Sequence, residues 1–339
     1  MPSKSSIVVT TINTPTAAMV ALGQGGRERG IQLIVIGDEK GPAAFDLDGS
    51  RFFDVAAQRA TGLAYAAHCP TRHYARKNIG YLIALRDGCQ AIIETDDDNI
   101  PYPGFWAERS LTHRVPVVSD SGWLNVYRYF SDAPIWPRGL HLNAVQIPPP
   151  TYEQLGEVDA TCPIQQGLAN ANPDVDSIYR LTLPLPQYFR TDRRVAVGRN
   201  AWCPFNSQNT TWLAPAFPLL YLPYYCSFRM TDIWRSFVAA RIAWENDWHI
   251  LFHEPTVYQD RNEHDLMRDF AEEIPGYLNN ETIRQTLQNL NLQGGAAGMA
   301  DDLRACYRAL TMLGVVGEAE LPLLEHWLSD ITTLQASNP

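Results

Sequence analysis

The sequence lacks most of the patterns by which a function declares itself early. Its six cysteines, Cys69, Cys89, Cys162, Cys203, Cys226 and Cys306, stand apart, with no CxxC pair and no zinc-type clustering. That spacing argues against a zinc module or a disulfide framework and leaves reduced core thiols as the expectation. No apolar run approaches the roughly 20 residues that span a bilayer. The opening Met-Pro-Ser-Lys-Ser-Ser has no charged segment leading into an apolar stretch and a cleavage site, so a soluble, cytoplasmic protein with no transmembrane segment is expected. Runs of Lys and Arg are missing as well: 27 basic residues face 37 acidic ones, a formal net charge of −10. An acidic chain of this kind repels a phosphate backbone, which argues against nucleic acid as a partner. A local basic pocket for one small phosphorylated ligand stays open. The stretch Gly23-Gln24-Gly25-Gly26 lacks the third glycine of a dinucleotide fingerprint and does not follow a strand, which argues against a Rossmann dehydrogenase.

The 339 residues, 45% hydrophobic and 19% charged, suffice for a folded chain of one large domain or two ordinary ones at about 150 residues each. Ile7–Thr11, Gln32–Ile36 and Ala91–Ile93 read as strands, with helical stretches over Thr16–Arg27 and Tyr74–Leu85 between them. Strand, helix, strand, helix, strand implies an α/β fold with a parallel sheet, whose ligands gather at the carboxyl ends of the strands. From about 101 to 200 the chain turns Pro-rich and aromatic-rich, and Pro148-Pro149-Pro150 excludes a helix or central strand there, so a loop or lid-like insertion is expected. Helical character returns over 216–248, Leu251-Phe252-His253 reads as a short strand end, and the remainder reads as helices broken at Gly294-Gly295 and near Gly314–Gly317.

Asp96-Asp97-Asp98 directly follows a predicted strand. Three adjacent carboxylates repel one another unless a cation compensates, and Mg²⁺ or Mn²⁺ is suited to hard oxygen ligands shared with a phosphate. Asp38 ends another strand and suits a contact to a base or ribose, with Lys40 near a phosphate. Arg72, Arg76 and Lys77 open a helix whose dipole they oppose, so a diphosphate is a reasonable partner for them. Asp232 either caps its helix or serves as a general base on a hydroxyl. His253 is either a satisfied structural histidine or a completing metal ligand.

Taken in order, Thr10–Thr16, Val35–Asp38, Arg76–Tyr81, Glu94–Pro101, Trp136–Gly139, Pro204–Thr210 and Thr231–Arg235 resemble the STELLO family of glycosyltransferase-like proteins over about residues 7–260. They are more distantly similar to the reversibly glycosylated polypeptides, which act as UDP-arabinopyranose mutases. The resemblance implies a GT-A-like, Rossmann-related mixed sheet flanked by helices over 1–262; the helical pattern beyond it is read from the sequence as a C-terminal helical region over 263–339 that packs on the sheet or on another subunit of a homo-oligomer. It implies a metal-dependent glycosyltransferase that moves a sugar from a nucleotide-diphosphate donor, a UDP-sugar, to a hydroxyl of a glycan or other acceptor. Carried onto this sequence, Asp96, Asp97 and Asp98 hold Mn²⁺ or Mg²⁺ with His253 as a late ligand. Asp38 meets the nucleoside, and Asp232 is the base of an inverting reaction. Lys40, Arg76 and Lys77 are then the phosphate contacts of the donor, and Asn206, Gln208 and Asn209, with Arg138 in the Pro/Trp-rich 120–150 segment, shape the sugar and acceptor pocket. Glu94-Thr95-Asp96 fits the D-x-D register as well as Asp96-Asp97-Asp98 does. A pyranose/furanose mutase, with Arg138 holding the sugar transiently, and a non-catalytic scaffold or sensor are the alternatives.

Overall fold

The computed structural model describes residues 4–42, 44–261 and 265–337. The expected boundary at 262/263 and the first three residues of the N-terminal stretch therefore lie outside the described residues. The strands are β1 (Ser5–Thr11), β2 (Gln32–Gly37), β3 (Ser50–Phe53), β4 (Ala91–Thr95), β5 (Asn99–Pro101), β6 (Thr112–Val118), β7 (Gly122–Trp123), β8 (Glu157–Asn170), β9 (Arg194–Val197), β10 (Ala201–Trp202), β11 (Asn209–Leu213) and β12 (Trp248–Gln259). The helices are α1 (Ala17–Arg29), α2 (Val55–Arg59), α3 (Ala64–His68), α4 (Lys77–Arg86), α5 (Tyr127–Phe130), α6 (Ser177–Thr182), α7 (Thr231–Glu245), α8 (Leu266–Gln288), α9 (Gly295–Met312) and α10 (Glu320–Ser337).

Ten strands form one mixed sheet in the order β3-β2-β1-β4-β11-β8-β6-β9-β12-β5, with β8 also paired to β12. β1, β2, β3 and β4 are parallel neighbours. β1 and β2 are near-continuous apolar runs because both faces are covered. Val8, Ile34 and Ile36 enter the core on one side, and Ile7, Val9, Leu33 and Val35 enter the core on the other with Met19 and Leu22 of α1. α1 starts where Thr16 caps it, its hydroxyl accepting from the Met19 N–H at 3.1 Å. The Gly23–Gly26 stretch lies inside this helix, and a Cβ on Gly25 would come within 2.3 Å of the Trp106 ring; the glycine is there for close packing. α7 is buried from Thr231 to Trp244. Ile283, Leu287, Leu303, Leu310, Leu324 and Trp327 of the three C-terminal helices belong to the same core as Val8 and Ile36.

Two expectations give way. The 101–200 region is not a lid-like insertion: it supplies β8, a 14-residue strand paired to β11, β6 and β12. Its side chains at the centre of the sheet include buried Gln165 and Gln166, whose amides donate to Ser110, Cys162, Gly167 and Asn209 carbonyls, so no apolar run marked the strand. His253 is not at a strand end but in the middle of the 12-residue β12.

The topology concentrates function at one edge. β11 runs antiparallel to both β4 and β8, so β8 is parallel to β4, and β12 is parallel to β8. The carboxyl ends of β1, β2, β4, β8 and β12, at Thr11, Gly37, Thr95, Asn170 and Gln259, thus share one side of the sheet. The start of β11 joins them, since Asn209 pairs with Thr95.

Candidate functional site

Two adjoining cavities open at that edge. The larger, about 660 Å³, is lined by the residues after β1 and β2 (Ile12, Asn13, Asp38, Lys40) and by His73, Tyr74 and Arg76. Its far wall is Phe228 and the start of α8 (Asp265, Arg268, Asp269, Glu272). The smaller, about 220 Å³, is lined by Asp96, Asp97, Asp98, Asp174, Asp232, Gln208, Gln259 and four arginines, Arg138, Arg180, Arg229 and Arg261. Thr10, Asp97 and Arg229 line both and form the neck between them.

The three aspartates point to three different partners. Asp96 Oδ1 takes the Lys77 ammonium at 3.0 Å. Asp97 Oδ2 accepts from Thr11 Oγ1 at 2.6 Å and Asn13 Nδ2 at 3.0 Å, and the Asp97 carbonyl accepts from the Thr16 hydroxyl. Asp98 receives the Gln259 amide on both oxygens at 3.2 Å. Crowding by protein raises the Asp96 pKa; Lys77 pulls it back, and the Asp97 and Asp232 charges push it up again.

Asp232 sits in the first turn of α7. Both its oxygens accept from Arg138 Nη2, at 3.1 and 2.9 Å, and it also accepts from the Ser207 N–H at 3.1 Å and the Tyr74 hydroxyl at 3.2 Å. Burial alone would favour its neutral form, but the Arg138 charge and hydrogen bonds, with help from Arg235 and Ser207, hold it well below the usual carboxylate range. Arg138 is gripped from the other side by Asp174, at 2.7 and 2.9 Å, and its remaining nitrogen donates to the Arg229 carbonyl. Burial works against its charge, yet the two carboxylates raise its pKa well above normal.

Asp38, Lys40 and Arg76 line the larger cavity and Gln208 and Arg138 the smaller. Asp38 orders the wall by accepting from the His73 N–H at 2.9 Å and the Glu39 N–H at 2.8 Å. The Arg76 guanidinium is spent on the Cys69 and Pro70 carbonyls and Gln58. His73, stacked on Tyr74 with ring centroids 5.2 Å apart, has a pKa lowered to about 4 by burial, with Asp38 opposing the shift.

Four expectations are corrected in placement. Lys77 is fully buried and reaches the site only through Asp96, its ammonium also donating to the Thr95 and Ser207 carbonyls. Asn206 caps its own turn by accepting from the Gln208 N–H. Asn209 binds the Leu168 carbonyl and Thr256 inside the sheet. His253 does not join the acidic cluster: it is buried in mid-strand, and burial together with Arg109 keeps its pKa well below normal. Glu94 is likewise unsuited to a D-x-D role. It is fully buried and accepts from Arg235 at 2.7 and 2.8 Å, from Trp212 at 2.8 Å and from Tyr81. Among the described residues no three His, Cys, Asp or Glu side chains converge as a ready-made metal centre. Asp174, Arg180, Arg229, Gln259 and Arg261 went unnoticed in the sequence; Asp174 and Arg261 each follow the carboxyl end of a strand whose length was not legible.

No helix of the described residues is long and apolar enough to cross a membrane. No protein-family model matches the chain. Two curated Arabidopsis thaliana proteins do: "Probable glycosyltransferase STELLO1", 30% identical over 275 residues, and "Probable glycosyltransferase STELLO2", 31% identical over 275 residues. Each alignment covers 75% of this chain and 35% of the relative, so the chain spans about a third of the length of the curated relatives it matches. Over that shared region the chain is STELLO-like.

Proposed function

We propose that the chain is a GT-A-type glycosyltransferase that takes a nucleotide-diphosphate sugar, a UDP-sugar, as donor and a hydroxyl as acceptor. The observation that carries this reading is the pair of cavities joined at a neck of Thr10, Asp97 and Arg229. The larger is of a size for a nucleoside, the neck offers polar groups to a diphosphate, and the smaller holds the sugar against Asp232. The relatives' names support the reaction class.

A divalent ion fits this donor set in one particular way. Mg²⁺ and Mn²⁺ commonly take one or two protein carboxylates and complete their shell with water and substrate phosphate. Asp97 at the neck and Asp96 just inside the smaller cavity suit that arrangement; burial, and to a lesser degree the Asp97 and Asp232 charges, raise the Asp96 pKa, and a cation would offset both. When bound, the ion supplies neutralisation of charge on the departing diphosphate. The chain's own groups do the rest. Arg229 adds positive charge at the same neck. Asp232, held ionised by Arg138, receives the acceptor's proton. A carboxylate so paired is a weak base, but the oxocarbenium-like sugar of a glycosyl transfer makes a bonding hydroxyl strongly acidic, so weak basicity suffices for late proton transfer. The same pairing counts against the mutase reading, because an arginine held between two carboxylates is a poor nucleophile.

Titrating UDP calorimetrically with and without MnCl₂, then screening UDP-sugars for transfer or hydrolysis, tests the proposal. Metal-dependent UDP uptake that falls at least about tenfold in Asp97→Asn is expected; absence of UDP uptake under both conditions refutes it.

A further inference from the structure

The arginines of the smaller cavity are not equally matched. Arg138 is held by Asp174 and Asp232. Arg229 is paired with Glu273 of α8 at 3.0 Å, and Arg261 with Asp269 of the same helix at 3.0 Å. Arg180, on the short helix α6, has no carboxylate within ion-pair distance among the described residues. Its Nη2 donates to the Pro173 carbonyl at 2.8 Å, its Nη1 lies 3.5 Å from Asn172 Oδ1, and its Nε is buried with no acceptor. The nearest acid in the chain after β8, Asp174, is already committed to Arg138 through both oxygens. Burial, then the neighbouring Arg261 and Arg229 charges, lower the Arg180 pKa to about 9, with Asp174 and Glu273 opposing. Arg229 and Arg261 are each neutralised by a carboxylate of α8, so Arg180 is the guanidinium of this wall that has no ion-pair partner among the described residues.

Two of the three sit on the sugar side of the neck and the third is part of the neck itself. Arg180 and Arg261 line only the smaller cavity, while Arg229 faces both. We propose that Arg180, flanked by Arg229 and Arg261, is an anion subsite that takes a carboxylate or phosphate carried by the transferred sugar or by the acceptor. The assignment of that cavity to the sugar and acceptor rests on the glycosyltransferase reading; the recognition of an anion there does not. A guanidinium with unspent donors offers a planar fork that matches either oxyanion, and such charge-assisted bonds are individually strong enough to set substrate choice.

Calorimetry with two matched pairs of probes tests this and distinguishes the two sources of the anion. One pair is UDP-glucose against UDP-glucuronic acid; the other is glucose against glucose 6-phosphate, added to protein with UDP. An anion subsite predicts at least about tenfold tighter binding of the charged member in one of the pairs. Arg180→Gln should erase that preference while leaving UDP affinity unchanged, and Arg180→Lys should retain part of it. Equal binding within both pairs overturns the proposal, as does a preference that survives in Arg180→Gln. A tenfold fall in UDP affinity in Arg180→Gln would assign the cluster to the donor diphosphate and overturns it too. If UDP does not bind but glucose 6-phosphate binds through Arg180, the nucleotide reading fails and the anion subsite stands. If UDP binds and neither pair discriminates, the reverse holds. A melting temperature close to the parent's confirms that both variants are folded.

Discussion

The buried pair between Glu94 and Arg235 sets the distance between the two halves of the site, and Arg235→Met shows how much it is worth. Glu94 is on β4 two residues before Asp96, and Arg235 is on α7 one turn after Asp232. Both side chains are essentially inaccessible, 0% and 1% exposed, and their oxygens and nitrogens meet at 2.7 and 2.8 Å. Replacing Arg235 by methionine keeps most of the volume but leaves a buried carboxylate with only the Tyr81 hydroxyl and the Trp212 indole as donors. Breaking a buried pair by removing one partner costs about 3–5 kcal/mol. For a chain of this length that corresponds to a fall in melting temperature of about 4–7 °C. Glu94→Gln alone should cost a similar amount, by leaving Arg235 unpaired against Trp212. The double variant Glu94→Gln, Arg235→Met should cost clearly less than the two singles together, because no buried charge is left behind. Denaturant midpoints of the four proteins complete the cycle. Strict additivity, or a loss below about 1 kcal/mol for Arg235→Met, would refute the claim that this pair is desolvated and ties β4 to α7.

Three further outcomes follow from particular contacts. Gly80 of α4 faces β1 and β2, and a Cβ there would sit 2.5 Å from Val8 Cγ1 and 3.0 Å from Ile36 Cγ1, so Gly80→Ala should destabilise by about 1–3 kcal/mol through overpacking, read from urea midpoints; a stabilising effect would count against this packing. Glu320, fully buried at the start of α10, has its pKa raised to about 7 by burial, against hydrogen bonds from Tyr221 and the Tyr224 and Tyr225 N–H groups. A carboxyl whose folded pKa exceeds its ordinary 4.5 contributes stability that is complete below that value and is lost as pH rises to about 7, of order 3 kcal/mol in all. Glu320→Gln should therefore flatten the fall in stability between pH 5 and pH 8, and an unchanged slope would refute it. Asp174→Asn removes one of the two carboxylates that hold Arg138 against Asp232, so the rate of transfer, rather than the affinity for UDP, should fall; an unchanged rate would count against a role for the clamp.

What the sequence made legible, and what it hid, follows from the range of the interactions involved. β1, β2 and β4 could be read because a strand buried on both faces must be apolar throughout, and the three C-terminal helices because glycines separate them. β8 and β12 could not be read in full. The centre of β8 carries Gln165 and Gln166, satisfied in part by distant carbonyls, and the β12 register shifts around Pro255, so neither shows clean alternation. The Asp96–Asp98 triplet stood out because it directly follows a buried strand. Which carboxylate does what was not visible, since Lys77, Thr11 and Gln259 lie 19, 86 and 161 residues away from their respective partners. One distinction was within reach. Side chains alternate across a strand, Ile92 joins the core beneath α7 while Ile93 joins the opposite one, and parity then sends Glu94 inward with Ile92, into the Arg235 pair. The D-x-D register beginning at Glu94 fails on that alternation, because a side chain packed into the core beneath α7 cannot also reach a ligand at the strand's end. The acidic motif at the sheet edge therefore begins at Asp96, the first residue beyond the paired strand.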